Sequence, residues 1–123
     1  MGAHASRLNS WNYWSADYGD CADSWITADL GINRIVEAVR TRGGNQNFIA
    51  RFSLAISQDG GDWSTVVDGS DSTVVFDGNT DTTTTVSNPL PTPVVARFVQ
   101  LVVIECSGTE AELRWAIDGC PVD

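Results

Sequence analysis

Short apolar segments alternate with glycine-, aspartate- and asparagine-rich turns along the whole chain, and this spacing constrains the fold more than any other feature. Phe48, Ala50, Phe52, Leu54 and Ile56 share one parity while Arg51, Ser53 and Ser57 take the other, the period of a strand with one buried face. Leu113, Trp115 and Ile117 alternate in the same way with Arg114, Ala116 and Asp118. Phe98 to Ile104 is a nearly continuous apolar run, suited to a strand covered on both sides. Shorter strands are expected at Trp25 to Leu30, Ile35 to Thr41, Trp63 to Val67, Thr73 to Phe76 and Thr82 to Val86. Turn signals separate them at Gly43-Gly44-Asn45, Asp59-Gly60-Gly61, Asp68-Gly69, Asp77-Gly78-Asn79 and Asn88-Pro89. About eight short strands and no helical pattern predict an all-β sandwich or squat barrel.

A chain of 123 residues is one domain, 1–123, long enough to bury a core without a metal staple. The net charge is −9, and the seven basic residues are all arginine. That balance repels phosphate backbones and anionic bilayers at long range, which excludes nucleic acid as a partner. No apolar run approaches the roughly 20 residues of a membrane span, and Met1-Gly2-Ala3-His4 lacks the basic start of a signal peptide. The reading is of an excised module or one whose leader has been removed. Cys21, Cys106 and Cys120 contain no Cys-x-x-Cys pair, and His4 is the only histidine, so zinc is not expected and one thiol is left over. With no lysine and one histidine, a serine or cysteine nucleophile has no activating base. Nothing in the spacing singles out a glycosidase pair among sixteen acids. The chain reads as a binder and not as an enzyme.

In order along the chain, Arg7-Leu8-Asn9, Trp14-Ser15-Ala16, Trp25-Ile26-Thr27-Ala28-Asp29-Leu30-Gly31 and Val39-Arg40-Thr41-Arg42-Gly43 are followed by Phe52 to Ser57, Asp59-Gly60 and Trp63. Phe76-Asp77-Gly78-Asn79, Ala96-Arg97-Phe98-Val99, Leu113-Arg114 and Gly119-Cys120 complete the series. Together these resemble the discoidin, or coagulation-factor type C, domain over roughly residues 5 to 120. The resemblance implies a jelly-roll-like β-sandwich of eight main strands, related to galactose-binding modules, with ligand-binding loops at one end. It also implies that the family's first projecting loop and its N-terminal cysteine, the partner of Cys120, are missing. Ala116 stands where the family tends to carry a glutamate of a calcium site. No cofactor is expected; calcium is the one candidate, and Ala116 counts against it. By the same resemblance Asp29, Arg97 and Arg114 are framework partners, and Trp14 and Trp25 take core positions.

The ligand loops implied are 10–24, 42–48, 68–73 and 105–111. Trp11, Asn12 and Tyr13 in the first offer an aromatic platform beside an amide, which suits a pyranose ring and its hydroxyls. Trp11 has an equal second reading, as filler for the space left by the missing segment. Arg42, Asn45, Gln46, Asn47 and Phe48 supply a guanidinium fork, amides and a ring, useful for hydroxyls or a carboxylate; the alternative is a solvated glycine-rich turn. Asp17, Asp20 and Asp23 lack a calcium-loop spacing, and Asp77 to Asp81 is a turn, since Thr82 stands where the EF-hand loop needs glycine. The family topology brings Cys21 and Cys106 to one end, implying a disulfide; Cys106 with Cys120 is the rival pairing, and otherwise Cys120 is free or intermolecular. A disulfide implies an extracellular location. The functional expectation is carbohydrate recognition, of a glycan or glycoprotein of the galactose type, by a monomer or weak homo-oligomer. Phospholipid binding and protein adhesion are the alternatives.

Overall fold

The computed structural model describes residues 21–22, 24–108 and 112–122, with 6–7 and 12–15 as backbone. The elements are β1 (Ser6–Arg7), β2 (Asn12–Ser15), β3 (Trp25–Arg42), β4 (Ile49–Ser57), β5 (Ser64–Thr65), β6 (Phe76–Asp77), β7 (Val86–Cys106) and β8 (Glu112–Pro121). All pairings are antiparallel, in the order β1-β8-β3-β7-β4-β5, with β2 also on β8 and β6 also on β4.

Two strands serve both layers. The first part of β3 pairs with the second part of β7, from Trp25↔Val102 to Asp29↔Phe98, beside β4. The second part of β3 pairs with the first part of β7, from Arg34↔Ala96 to Thr41↔Val86, beside β8. Between the two registers, residues 30–33 oppose Arg97 alone. Gly31 lies in this bulge at φ +89°, a conformation that favours glycine. The Asp29 carboxylate accepts hydrogen bonds from Gly31 N (2.8 Å) and from Arg97 Nε (2.8 Å) and Nη2 (3.0 Å), tying the bend to its partner strand. The folded-over layers enclose Phe52, Leu54, Leu101 and Val103 from one side and Val36, Val39, Leu113, Trp115 and Ile117 from the other. Phe52 stacks on Phe76 at a centroid distance of 5.3 Å.

The sequence alternation is borne out in part at Ile49–Ser57 and Glu112–Pro121: Phe52, Leu54, Leu113, Trp115 and Ile117 are buried and Arg51, Arg114 and Asp118 are not, but Ser57 and Ala116, expected on the outer parity, are buried as well. Four expectations change. The segments 25–30 and 35–41 are one bent strand. Asn88-Pro89 is no turn: β7 runs through Pro89, Pro91 and Pro93, which lie in a half-strand whose other side pairs with no strand among the described residues, so the missing N–H groups cost no ladder bond. Thr82 to Thr85 precede the strand and wrap the Asp81 carboxylate, which accepts from the N–H of Thr83 (3.0 Å) and Thr84 (2.7 Å). Trp25 is 60% exposed, because Ile26, Ala28 and Leu30 take the inward parity. The third cysteine is also corrected in part: Cys120 is free but buried, 4% exposed, so it is closed to an intermolecular disulfide.

Three carboxyls are held below the ordinary aspartate value of 3.8. Asp29 owes this to Arg97 and then to the Gly31 N–H; Asp59 to the N–H groups of Asp62 and Gly61; Asp81 to the N–H and hydroxyl of Thr84. A carboxyl lowered in the folded state stabilises above its unfolded pKa, and the contribution disappears as pH falls through the folded value. The melting midpoint is therefore expected to hold down to about pH 4 and to decline below it. Asp29→Asn should flatten part of that decline in a series of melts read by circular dichroism, and an unchanged slope would remove Asp29 from the account.

Candidate functional site

The ends of β3 and β7 and the starts of β4 and β8 converge at one end of the sandwich, through Ile49↔Cys106 and Arg42↔Arg114. A disulfide joins Cys21 to Cys106 there, with Cα atoms 6.4 Å apart. In the chain-entropy view, closing 85 residues stabilises by on the order of 4 kcal/mol. Residues 21, 22 and 24 and segments 43–48 and 107–108 are thereby held beside one another.

Loop 43–48 is built tightly. Gly44 N donates to Asn47 O (2.9 Å). A Cβ on Gly43 would lie 2.7 Å from Thr82 Cα and one on Gly44 2.5 Å from Glu112 Cβ, so both positions require glycine. Glu112, 8% exposed, places Oε1 under the loop, where it accepts from Gln46 N (2.9 Å) and Asn47 N (2.6 Å). Phe48 and Ser107 exchange two bonds, Ser107 N to Phe48 O (2.9 Å) and Phe48 N to Ser107 Oγ (3.0 Å). Buried Asn79 donates to Thr41 O (3.1 Å) and Thr84 O (2.8 Å), bracing the end of β3 against the neighbouring turn.

The sequence-derived site residues fall as follows. Asn45 and Gln46 are exposed at the loop tip, and Arg42, Asn47 and Phe48 are half-buried. Asn45 Oδ1 accepts from Arg114 Nη2 (3.4 Å), and Asn47 Oδ1 faces Ser107 Oγ (3.5 Å). In β2, Tyr13 occupies the register position opposite Arg114, and Asn12 the one opposite Trp115. One row across three strands thus reads Tyr13, Arg114, Arg42. Trp11 and the acids Asp17, Asp20 and Asp23 lie outside the described residues. Loop 68–73 closes on itself, with Asp68 Oδ1 accepting from Ser70 N (2.8 Å), and among the described residues it makes no hydrogen bond to loop 43–48. Ala116 is buried opposite Arg40, and no group of three metal-ligating side chains occurs among the described residues. A groove of about 300 Å³ lined by Ile56, Ser57, Gln58, Asp59, Asp62, Ser64 and Val95 opens at the opposite end, beside the bend. Sequence reasoning missed Glu112 altogether.

Residues 2–117 match the model of the F5/8 type C domain. The chain belongs to this family, the discoidin domains. It is 31% identical over 105 residues to mouse neuropilin-1, covering 82% of this chain and 11% of that protein, and 35% identical over 127 residues to neuropilin-1 of Xenopus laevis, covering 98% and 13%. The chain thus spans about a tenth of the length of these relatives. Among solved structures it superposes on discoidin II of Dictyostelium discoideum with a TM-score of 0.76 at 19% identity, covering 92% of this chain and 43% of that one. A family 32 carbohydrate-binding module of Clostridium perfringens, in complex with GalNAc-β-1,3-galactose, superposes at 0.68 with 20% identity, covering 85% and 73%. The family 32 module of NanJ from the same organism, in complex with galactose, does so at 0.66 with 16% identity, covering 90% and 77%. These likenesses establish the discoidin-type sandwich.

Two charge-assisted bonds to a buried carboxylate predict that Glu112→Ala costs about 1.5–3 kcal/mol. Amide exchange should accelerate at Gln46 and Asn47 well beyond the change at core positions such as Leu54 and Leu101. Uniform acceleration across the domain would mean that Glu112 supports the whole fold and not this loop in particular.

Proposed function

We propose that this discoidin domain is a non-catalytic, extracellular carbohydrate-binding module that takes galactose-type glycans or glycoproteins at the end carrying loop 43–48, without a cofactor. The observation that supports it most directly is the bracing of the loop, with the N–H groups of Gln46 and Asn47 held by the Glu112 carboxylate and the Asn45 amide oxygen by Arg114. Amides and guanidinium groups bond sugar hydroxyls in fixed directions, and a loop already ordered before binding loses little entropy on doing so. Tyr13 occupies the register position opposite Arg114, and the sequence offers its ring and that of Trp11, which lies outside the described residues, as candidates for the aromatic component. Two structural neighbours were solved with galactose or a galactose-containing disaccharide, and their fold is this one. The disulfide supports the extracellular location.

The phospholipid reading is weaker. The tip residues Asn45 and Gln46 are polar, and the stretch 52–96 holds six aspartates and no basic residue, which opposes an anionic bilayer. Protein recognition is the second reading, favoured by the neuropilin-1 relatives.

The test is a glycan array probed with the purified domain, with calcium and again with chelator, alongside Gln46→Ala and Trp11→Ala. The expected outcome is retention on galactose-type glycans, insensitive to chelator and to salt, and weakened about tenfold in the variants, a loss of about 1.4 kcal/mol. A blank array from a folded sample would overturn the reading and direct attention to protein partners. Loss with chelator would establish a metal requirement instead.

A further inference from the structure

Arg42 and Arg114 are direct cross-strand neighbours, so two guanidinium groups are rooted side by side on one sheet face. Like charges in that position destabilise a sheet. The adjacent positions on the same face behave differently: Arg40 is paired with Asp118, Nη2 to Oδ1, at 2.9 Å. Arg42 has no such acid. Among the described residues it makes neither a hydrogen bond nor an ion pair, and its Nε is buried without an acceptor. A buried donor of this kind has lost water without gaining an acceptor; Arg34 Nε shares that condition, and Arg42 differs from it in standing beside a second guanidinium at the loop end. Asn45, bonded to Arg114, and the exposed Gln46 stand at the rim of the same site.

We propose that Arg42, with the charge of Arg114 beside it, is a subsite for one carboxylate, so that the ligand of this module is a galactose-type sugar oxidised to the acid at C6, a galacturonate unit. This rests on the carbohydrate reading and names its ligand class. Guanidinium presents a planar fork of donors that matches the two coplanar oxygens of a carboxylate. The net charge of −9 and the exposed aspartates at 59, 62, 68, 71, 77 and 81 oppose a highly charged polyanion, while a single carboxylate is repelled far less at long range.

The experiment compares three probes by isothermal titration: galactose, sodium galacturonate and galacturonate methyl ester, which keeps the shape and removes the charge. Galacturonate should bind about tenfold more tightly than its ester, and added salt should reduce only the galacturonate affinity. In Arg42→Gln the galacturonate-to-ester ratio should fall towards one, and Arg42→Lys, which keeps the charge without the fork, should restore it in part. Because Arg42→Gln relieves a like-charge pair, its melting midpoint at low salt should be no lower than that of the parent, which separates loss of the subsite from loss of fold. Should Arg42→Gln fail to fold, the Arg42→Lys ratio decides alone. Binding of galactose with equal affinity for acid and ester would overturn this proposal and leave the carbohydrate reading standing. No binding of any probe would overturn both.

Discussion

Because β3 and β7 each run through both layers, a single bend fixes the geometry of everything else. The bulge at 30–33 lets the pair turn from the β4 layer into the β8 layer without breaking its partnership. Asp29 is the residue on which the bend closes, since one carboxylate serves the glycine that permits the turn and the arginine of the strand it must follow. Once the two strands have turned, their C-terminal ends, Arg42 and Cys106, arrive at the same end of the sandwich beside the starts of β8 and β4. The loop cluster is therefore a consequence of the crossing, and the Cys21–Cys106 disulfide locks a juxtaposition that the topology already requires.

What the sequence reveals, and what it conceals, follows from how local each determinant is. In segments 48–57 and 113–118 the apolar parity is written in alternate residues and the core positions Phe52, Leu54, Leu113, Trp115 and Ile117 are read correctly, whereas the burial of Ser57 and Ala116 on the other parity depends on what packs over them and leaves no local mark. The long strands are hidden because Gly31 and the prolines of β7 are breaking signals in isolation. They become strand residues here because one sits in a bulge and the others lie along an unpaired side. Trp25 shows the same lesson in reverse. The family resemblance assigned it to the core, yet Ile26, Ala28 and Leu30 form the apolar parity of that segment, and Trp25, Thr27 and Asp29 are left on the outer face. The local pattern outweighs the motif.

The candidate site divides along the same line. The glycine pair and the amides of 43–47 are legible because a turn with no room for Cβ atoms leaves its mark on the sequence. Glu112 leaves none: of sixteen acids, the one buried beneath a loop 66 residues away is identified only once the strands are paired. The row of Tyr13, Arg114 and Arg42 is likewise a property of register. Arg114 reads as framework from its motif, and its bond to Asn45 lets it brace the candidate loop from the face on which Arg42 stands.

Charge is distributed as unevenly as the loops are. Arg51 and Arg97 are each committed to an acid, Glu105 and Asp29, and Arg40 to Asp118. The six aspartates of 52–96 are exposed in the turns around β5 and β6, at the end of β6 itself and in the segment that precedes β7. A strongly negative molecule thus keeps an uncommitted guanidinium at the loop end, with a second one anchored next to it. Beyond roughly 10 Å at ordinary salt the surrounding aspartates are screened, and within that distance the local pair governs. Selectivity at such a site comes from short-range geometry and not from steering. That places the burden on the stiffness of the loop, and the Glu112 carboxylate, the two close-packed glycines and the disulfide all act on that one property.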